Sequence, residues 1–421
     1  MKLKPHQVEV LKNTEEFNHV AYYLDMGLGK TFVGAEKLSQ LCTPVNLLIC
    51  QKSKVSDWIE HFKLYYPKSD IHDLTRKNSV PEFLLFAGMK KYQYSVGIIN
   101  YDLLIRRPEL KTISTPFTLM LDESSLIQNE NSKRSKFILK MEPQNVILLS
   151  GTPTGGKYER LWSQLYLLGW KIPKRMFYDH YVDYHFDDSA GFPRMVVDGY
   201  KNVDRLKQKM RQHGCVFMKT EDCIDLPEQV HQTVKVPTTK EYRIFKKDRI
   251  VTVDGVELMG DTVLKKLLYM RQLCGQYNPD KLQAFRDLLE STEDRVIVFY
   301  NFNAELDTLQ GICNVLQRPV SVVNGSLKDL TAYDTRNDSV TFVQYQAGAM
   351  GLNLQKSCRV IYFTPTLSSE LFEQSKKRVH RIGQKRTCFY YYLTSGIEEH
   401  IYKILQMRKD YTEELFIEGD K

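Results

Sequence analysis

Short apolar runs alternate with amphipathic segments through the first third of the chain. A helical pattern at about Thr31–Leu41 separates the first two of these runs. Strands that alternate with helices are typical of a parallel sheet covered by helices on its faces. We therefore predict an α/β fold here, with buried strands at Val20–Leu24, Val45–Cys50, Val96–Asn100, Phe117–Leu121 and Val146–Leu149.

The same alternation returns in the last third of the chain. Helical patterns at Asp280–Glu290 and Ser369–His380 accompany strand-like runs at Arg295–Tyr300, Val320–Val323, Val340–Tyr345, Arg359–Phe363 and Cys388–Leu393. Between the two regions, Lys157–Glu228 is rich in aromatic and basic residues and lacks clear strand patterns. A length of 421 residues also favours two domains over one. We predict two parallel-sheet lobes, residues 1–156 and 229–421, separated by a helical insertion and linker at residues 157–228.

A glycine-rich turn follows the first predicted strand and precedes the first helical pattern. A strand, a glycine turn, Lys-Thr and a helix together predict a phosphate-binding loop. Glycine is needed because a Cβ would block the close approach of backbone N–H groups to phosphate. The first glycine of the common pattern is replaced by Leu24, and an ordinary tight turn remains the alternative. The predicted loop residues are Met26, Gly27, Leu28, Gly29, Lys30 and Thr31.

Within this loop, Lys30 is expected to reach the β- and γ-phosphates, and the Thr31 hydroxyl is expected to hold Mg2+. A second strand, Phe117–Leu121, ends in the carboxylate pair Asp122-Glu123. Asp122 is predicted to hold Mg2+ through its water shell, and Glu123 to polarise the attacking water. An exposed acidic pair at a strand end is the alternative.

Composition and charge narrow the class of protein. Hydrophobic residues make up 42% of the chain and charged residues 26%, as in a globular domain. The net charge of +8 favours a polyanionic partner. No apolar run approaches the ~20 residues of a membrane span, and the N-terminus lacks a signal-peptide core. We expect a monomer without a membrane partner, in the cytoplasm or nucleus and not secreted.

Two arginines near the end of the chain are candidates for transition-state stabilisation. The run Phe372–Gln384 places Arg378 and Arg381 three apart on one predicted helical face. Guanidinium groups so placed can neutralise charge on a departing γ-phosphate. A solvated basic helix is the alternative.

Taken together, these motifs resemble those of the Swi/Snf-type ATPases, the double-stranded-DNA translocases of helicase superfamily two. The resemblance runs in family order over nearly the whole chain, and the Arg378–Gln384 run is its most distinctive part. Its other motifs are Leu3–Gln7, Asp25–Thr31, Asp122-Glu123, Leu149–Pro153, Arg295–Phe302 and Gly348–Leu354.

The resemblance implies two RecA-like lobes, ATP and Mg2+ as cofactors and double-stranded DNA as partner. It further implies that Gln7 reads the adenine edge and that Gly351 lies by the nucleotide. The implied coupling residues are Ser150, Gly151, Thr152 and Gln374. The candidate DNA contacts are polar residues at or after predicted strand ends, and an ordinary polar loop is the alternative for each: Lys52, Ser53, Lys54, Asn100, Tyr101, Gln344 and Gln346.

Two departures from the family pattern limit what the resemblance implies. Asp122-Glu123 is followed by Ser124-Ser125, so a histidine that couples motifs is absent. The paired arginines common before the second lobe are replaced by Phe217-Met218-Lys219. We therefore expect a minimal motor that acts on bare DNA or on DNA–protein complexes. A strand-separating or strand-annealing helicase is the first alternative, and an ATP-dependent nucleic-acid-binding switch with little turnover is the second.

Overall fold

Each half of the chain is an α/β domain built on one seven-stranded sheet. The structure, a computed structural model, describes residues 2–25, 27–86, 94–154, 157–187, 193–223, 226–348, 352–381 and 383–407. The chain divides into two compact units, Met1–Cys223 and Ile224–Lys421. The predicted fold class, two RecA-like parallel-sheet lobes, is confirmed. In the described parts of the chain, no helix is both long and apolar enough to cross a membrane.

The first unit contains every strand that the apolar runs of the first third predict. Its strands are β1 (His19–Leu24), β2 (Val45–Cys50), β3 (Ser69–Asp73), β4 (Tyr94–Asn100), β5 (Phe117–Asp122), β6 (Asn145–Ser150), β7 (Val182–Asp187), β8 (Arg194–Tyr200) and β9 (Cys215–Met218). Its helices are α1 (Pro5–Lys12), α2 (Lys30–Leu41), α3 (Val55–Tyr65), α4 (Ser79–Phe86), α5 (Tyr101–Leu104), α6 (Lys133–Ile138), α7 (Trp162–Leu167), α8 (Lys174–Tyr181) and α9 (Val203–Gln212).

The order of strands in this sheet is β3-β4-β2-β5-β6-β1-β9, and all neighbours are parallel. The carboxyl ends of β4, β2, β5, β6 and β1 therefore meet at one edge of the sheet, where ligands bind in open α/β folds. Helix α2 lies close to β5 and β6, since a Cβ on Gly34 would meet Leu149 Cδ1 at 2.8 Å and Met120 Sδ at 3.2 Å. This close packing holds the N-terminus of α2 beside that edge.

The prediction that residues 157–228 lack strands is wrong. β7 and β8 form an antiparallel hairpin, and β9 extends the first sheet beside β1. The sequence of β7, Val-Asp-Tyr-His-Phe-Asp, is a mixed pattern because most of that strand is exposed or half-buried. β9, Cys-Val-Phe-Met, is apolar but only four residues long, and a run this short does not distinguish a strand from another buried segment.

The second unit repeats the layout with a sheet of strand order β10-β18-β17-β13-β16-β14-β15, in which β14 and β15 pair antiparallel and the other neighbours are parallel. β11 and β12 form a separate antiparallel pair. Its strands are β10 (Gln229–Lys235), β11 (Ile250–Val253), β12 (Val256–Met259), β13 (Val296–Tyr300), β14 (Val320–Val323), β15 (Lys328–Asp329), β16 (Val340–Gln344), β17 (Arg359–Tyr362) and β18 (Cys388–Thr394). Its helices are α10 (Lys240–Asp248), α11 (Val263–Cys274), α12 (Pro279–Glu290), α13 (Asn303–Val315), α14 (Thr331–Thr335), α15 (Tyr345–Gly348), α16 (Ser369–Lys376) and α17 (Ile397–Gln406).

A fully buried ion pair joins two helices of the second unit. Lys281 of α12 donates to Glu398 of α17 at 2.6 Å, and both side chains are 0% exposed. Glu398 also accepts the backbone N–H of Ser395 at 3.0 Å. Burial raises the pKa of Glu398 to about 7, although the neighbouring lysine lowers it. The pair fixes α12 against α17 beside β18.

We predict that Lys281→Met lowers the free energy of unfolding by about 3–5 kcal/mol, because it leaves the buried Glu398 carboxylate without its partner. The double variant Lys281→Met/Glu398→Leu should lose far less, since the uncompensated charge is then gone. Denaturant unfolding of the three proteins measures the difference. Equal losses in the single and double variants would show that packing, and not the unpaired charge, sets the cost.

Candidate functional site

Three of the predicted motifs meet at the carboxyl edge of the first sheet. The loop after β1, the carboxylates at the end of β5 and the Ser150–Thr152 segment after β6 follow adjacent parallel strands. β2, which precedes Lys52–Lys54, lies on the other side of β5. The structure thus brings together residues separated by more than 100 positions in sequence.

The predicted phosphate loop has the backbone that its glycines allow. Gly27 and Gly29 both have positive φ, +93° and +80°, and α2 begins directly afterwards at Lys30. The Lys30 ammonium donates to the carbonyl of Leu24 at 3.0 Å. Helix N-termini bind anions because their first N–H groups lack partners within the helix. Met26 lies outside the described residues.

Gln7 contacts this loop directly. Its Nε2 donates to the carbonyl of Leu28 at 3.0 Å, while its Oε1 accepts the backbone N–H of Lys4 at 2.9 Å. The His6 ring nitrogen Nε2 is also 3.0 Å from the Leu28 oxygen. A Cβ on Gly29 would meet Gln7 Nε2 at 2.1 Å, so the glycine is required for this contact as well as for its φ. The N-terminal motif is therefore hydrogen-bonded to the phosphate loop and packs directly against it.

The carboxylate pair lies in a turn with an unusual backbone. Glu123 has φ +55° and ψ +60°, a left-handed conformation that costs free energy in a residue other than glycine. The Tyr101 hydroxyl donates to the carbonyl of Asp122 at 3.0 Å. The Trp58 indole Nε1 donates to Asp122 Oδ2 at 2.8 Å. Residues that follow β4 and β2 therefore hold the turn at the end of β5.

Electrostatics at Asp122 are dominated by its loss of solvent. Burial raises the pKa of the Asp122 carboxyl above its usual value, although the Trp58 hydrogen bond and the charges of Lys30 and Lys54 lower it. A nearby cation therefore favours the ionised form. β1 and β5 both lie next to β6, so the loop lysine and this carboxylate follow strands at the same edge of the sheet.

The residues present fit Mg2+ as a cofactor. The predicted protein donors are the Thr31 hydroxyl and the Asp122 carboxylate, both hard oxygen groups. Among the described residues, no group of three or more His, Cys, Asp or Glu side chains could hold a metal ion unaided. Mg2+ suits such a site because it keeps several waters and is usually shared with substrate phosphates.

Gln164 of α7 joins several motifs of this edge. Its Oε1 accepts the hydroxyls of Tyr23, at 3.1 Å, and of Ser124, at 2.8 Å. Its Nε2 donates to the carbonyl of Pro153 at 2.9 Å. The fully buried Gln164 thus links β1, the turn that follows Glu123 and the segment after β6.

The predicted coupling residues are divided between the two units. Ser150 is buried and its Oγ accepts the Thr152 backbone N–H at 3.2 Å, while Gly151 and Thr152 are half-buried. Gln374 of α16, in the second unit, is buried and donates to Glu370 at 3.1 Å. Ser150, Gly151 and Thr152 therefore lie at the carboxyl edge of the first sheet, and Gln374 belongs to the second unit.

The prediction that Arg378 and Arg381 share a helical face is wrong, because α16 ends at Lys376. Turn hydrogen bonds follow as far as His380, but the carbonyl of Arg378 accepts the N–H of Leu354 at 3.1 Å and so takes no part in a continuing helix. Arg378 is buried, with 3% of its side chain exposed, and Arg381 Nη1 donates to the carbonyl of Leu352 at 3.3 Å. Gly351 lies outside the described residues.

The candidate DNA contacts of the first unit differ in exposure. Lys52 and Ser53 are exposed on a short 3-10 turn after β2, and the neighbouring Lys54 pairs with Asp57 at 2.7 Å. Asn100 and Tyr101 are 3% and 2% exposed. The prediction that these last two contact DNA is corrected, because their side chains have almost no exposed surface to offer.

In the second unit, Gln346 is exposed on α15. Gln344 is half-buried at the end of β16 and donates to the carbonyl of Asn301 at 3.2 Å. A DNA backbone can therefore reach Gln346 more readily than Gln344.

Sequence reasoning misses two residues of the site. The helical spacing of Trp58 predicts a core residue, and it is buried, but its indole also binds Asp122. Gln164 carries no motif signal at all. A polar residue that the pattern places on a buried helix face is the only available sign, since buried amides need partners.

Comparisons with known proteins identify the family of this chain. The SNF2-related domain family matches residues 22–278, and the helicase conserved C-terminal domain family matches residues 280–383. The ISWI chromatin-remodeling complex ATPase ISW1 of Saccharomyces cerevisiae is 24% identical over 95% of this chain and 39% of its own length. The mouse SWI/SNF-related matrix-associated actin-dependent regulator of chromatin subfamily A member 1 is 23% identical over 90% of this chain and 39% of its own length.

A solved structure, the Sulfolobus solfataricus SWI2/SNF2 ATPase core in complex with dsDNA, has 19% sequence identity to this chain and a TM-score of 0.44. It aligns over 100% of this chain and 94% of its own. The chain spans about two fifths of the length of the two curated relatives. Since the first family match covers more than half of the 421 residues, the chain belongs to the SNF2 family of helicase-like ATPases.

Proposed function

We propose that the chain hydrolyses ATP and couples hydrolysis to movement along double-stranded DNA without separating the strands. The observation that carries the proposal is the assembly of Gln7, Lys30, Asp122 and Glu123 at one edge of the first sheet. Its substrate would be bare DNA or DNA with bound proteins. The chain would act in the compartment that holds the DNA, either the cytoplasm or the nucleus.

Each residue of the edge has a distinct task in this proposal. Gln7 reads the adenine, and the backbone of Gly27–Thr31 cradles the phosphates with Lys30 opposite the β- and γ-groups. Thr31 and Asp122 hold Mg2+, which when bound neutralises phosphate charge. Glu123 orients and polarises the attacking water.

The remaining proposed catalytic residues belong to the second unit. Arg378 and Arg381 are proposed to neutralise the charge that builds on the γ-phosphate in the transition state. The nucleotide contact of Gly351, which lies outside the described residues, stays a prediction. We assign the coupling of hydrolysis to movement to the Ser150–Thr152 segment and to Gln374. Gln164 is added to this coupling group because it contacts Ser124 and Pro153.

Recognition of DNA is proposed to rest on its phosphates. Lys52, Ser53 and Lys54 of the first unit and Gln346 of the second are the main candidates, with Gln344 secondary. The net charge of +8 supports a polyanionic partner, and the curated relatives described above are named for their action on chromatin. Binding through phosphates is strongly salt-dependent and nearly independent of sequence. A strand-separating or strand-annealing helicase, or a switch with little turnover, remains the alternative.

Glu123→Gln should keep nucleotide binding and lower ATP turnover by about 10²–10⁴-fold, because the charge that acts on water is lost while side-chain size is kept. Lys30→Ala should lose nucleotide binding itself. The control is Glu82→Gln, which changes an exposed carboxylate on α4 beside the edge strand β3. This variant should behave like the wild type. Steady-state hydrolysis and equilibrium nucleotide binding separate the two effects. Normal turnover in Glu123→Gln would reject the assignment of that residue.

Arg381→Ala should lower turnover by about 10³-fold or more while ground-state nucleotide affinity is largely kept, as expected for a transition-state arginine. Arg386→Ala removes an arginine of the same unit that pairs with Asp294 at 2.8 Å, and it is the control. Turnover, nucleotide affinity and DNA affinity are measured for both variants. If Arg381→Ala hydrolyses ATP normally but binds DNA weakly, Arg381 contacts DNA instead.

A motor that holds duplex DNA by its phosphates should displace a triplex-forming strand ahead of it when ATP is present. A plain forked duplex should not be unwound at a similar rate. DNA affinity should fall on the order of 10³-fold from about 50 to 200 mM salt if about six phosphates are contacted. Lys52→Ala should reduce the salt dependence by about one phosphate contact. Efficient unwinding of the fork without triplex displacement would favour the helicase alternative.

A further inference from the structure

The indole of Trp58 makes a buried hydrogen bond to the predicted metal-binding carboxylate. Trp58 is 1% exposed, and its Nε1 donates to Asp122 Oδ2 at 2.8 Å. This is a short, charge-assisted contact when the carboxylate is ionised. The two residues are 64 positions apart, and the contact is possible because β2, which precedes α3, lies next to β5.

The orientation of the indole is fixed by aromatic neighbours. Its ring stacks on Phe62 of the same helix, with centroids 5.9 Å apart and planes 27° apart. His61 meets it edge-on at 5.8 Å, and Phe32 of α2 meets His61 edge-on at 4.9 Å. This aromatic cluster, Phe32, Trp58, His61 and Phe62, connects the helix that follows the phosphate loop to the indole. The donor is therefore held in one position before any ligand binds.

We propose that Trp58 is a positioning residue for Mg2+, which it serves by fixing the orientation of the Asp122 carboxylate. The inference rests on the proposed function, since it needs Asp122 to support the metal that accompanies ATP. An indole that holds one carboxylate oxygen prevents free rotation of the group, so the carboxylate is presented to the metal's water shell in a single orientation. Residues that orient metal ligands from outside the coordination sphere typically contribute about 10–100-fold to metal affinity.

The chain offers a matched control for this role. Trp162 also lies in the first unit, and its Nε1 donates to a backbone carbonyl, that of Ile172, at 2.9 Å. Replacement of either tryptophan by phenylalanine removes one indole N–H and the same number of atoms. Only the change at Trp58 alters a carboxylate of the candidate site.

The experiment measures how Mg2+ supports the binding of a fluorescent ATP analogue to the full chain. Wild type, Trp58→Phe and Trp162→Phe are titrated with Mg2+ at a fixed concentration of the analogue. Their affinity for the analogue without Mg2+ is measured separately in EDTA. A fourth protein carries 3-benzothienylalanine at position 58, which replaces the N–H by sulfur and keeps the shape of the indole. This fourth protein isolates the hydrogen bond if the phenylalanine variant folds poorly.

We expect both changes at position 58 to raise the Mg2+ concentration for half-maximal binding by about tenfold or more, with affinity in EDTA unchanged. Trp162→Phe should match the wild type in both conditions. An unchanged Mg2+ requirement in the benzothienylalanine protein, or an equal loss of affinity in EDTA, would overturn the role of Trp58. A wild type that binds the analogue with Mg2+ but does not hydrolyse ATP would instead contradict the proposed function, and the Mg2+ titrations would still decide the role of Trp58.

Discussion

The turn that carries Asp122 and Glu123 is the constraint on which the candidate site depends. Its left-handed Glu123 is unfavourable by itself, so the surrounding structure has to hold it. Three buried side chains do so, each from a different helix: Trp58 binds the Asp122 carboxylate, Tyr101 binds the Asp122 carbonyl, and Gln164 binds the Ser124 hydroxyl. The strain is thus offset by hydrogen bonds made before any nucleotide arrives.

These supports also connect the site to the rest of the first unit. Gln164 contacts Pro153 and Tyr23 as well as Ser124, so the loops after β5 and β6 share one buried amide. The sequence has no histidine directly after Glu123 to join these segments. In this chain a glutamine from α7 makes a physical connection between them, which is a reason to include it in the proposed coupling group.

The sheets and the main motifs follow from local sequence patterns. Largely apolar runs such as Val45–Cys50 are buried on both faces of a parallel sheet, and this makes them visible as strands. β3, with the sequence Ser-Asp-Ile-His-Asp, carries no such signal because most of its side chains are only half-buried. The glycine loop and the carboxylate pair can be recognised because their chemistry requires a fixed order of residue types.

Contacts between residues distant in sequence cannot be predicted from such local patterns. The position of Tyr101 after a strand end predicts a DNA contact, yet its hydroxyl supports the turn after β5. Arg378 and Arg381 are predicted to share a helical face, but α16 ends at Lys376 and the carbonyl of Arg378 accepts the N–H of Leu354. Both outcomes depend on partners distant in sequence, about which the local pattern contains no information.

The central claim is that hydrolysis at this edge is controlled by duplex DNA. Its most direct test is the steady-state ATPase rate of the full chain with no nucleic acid, single-stranded DNA, duplex DNA and RNA, compared side by side at one salt concentration. The account predicts the greatest stimulation by duplex DNA. Equal rates in all four conditions, or greatest stimulation by single strands or RNA, would contradict it.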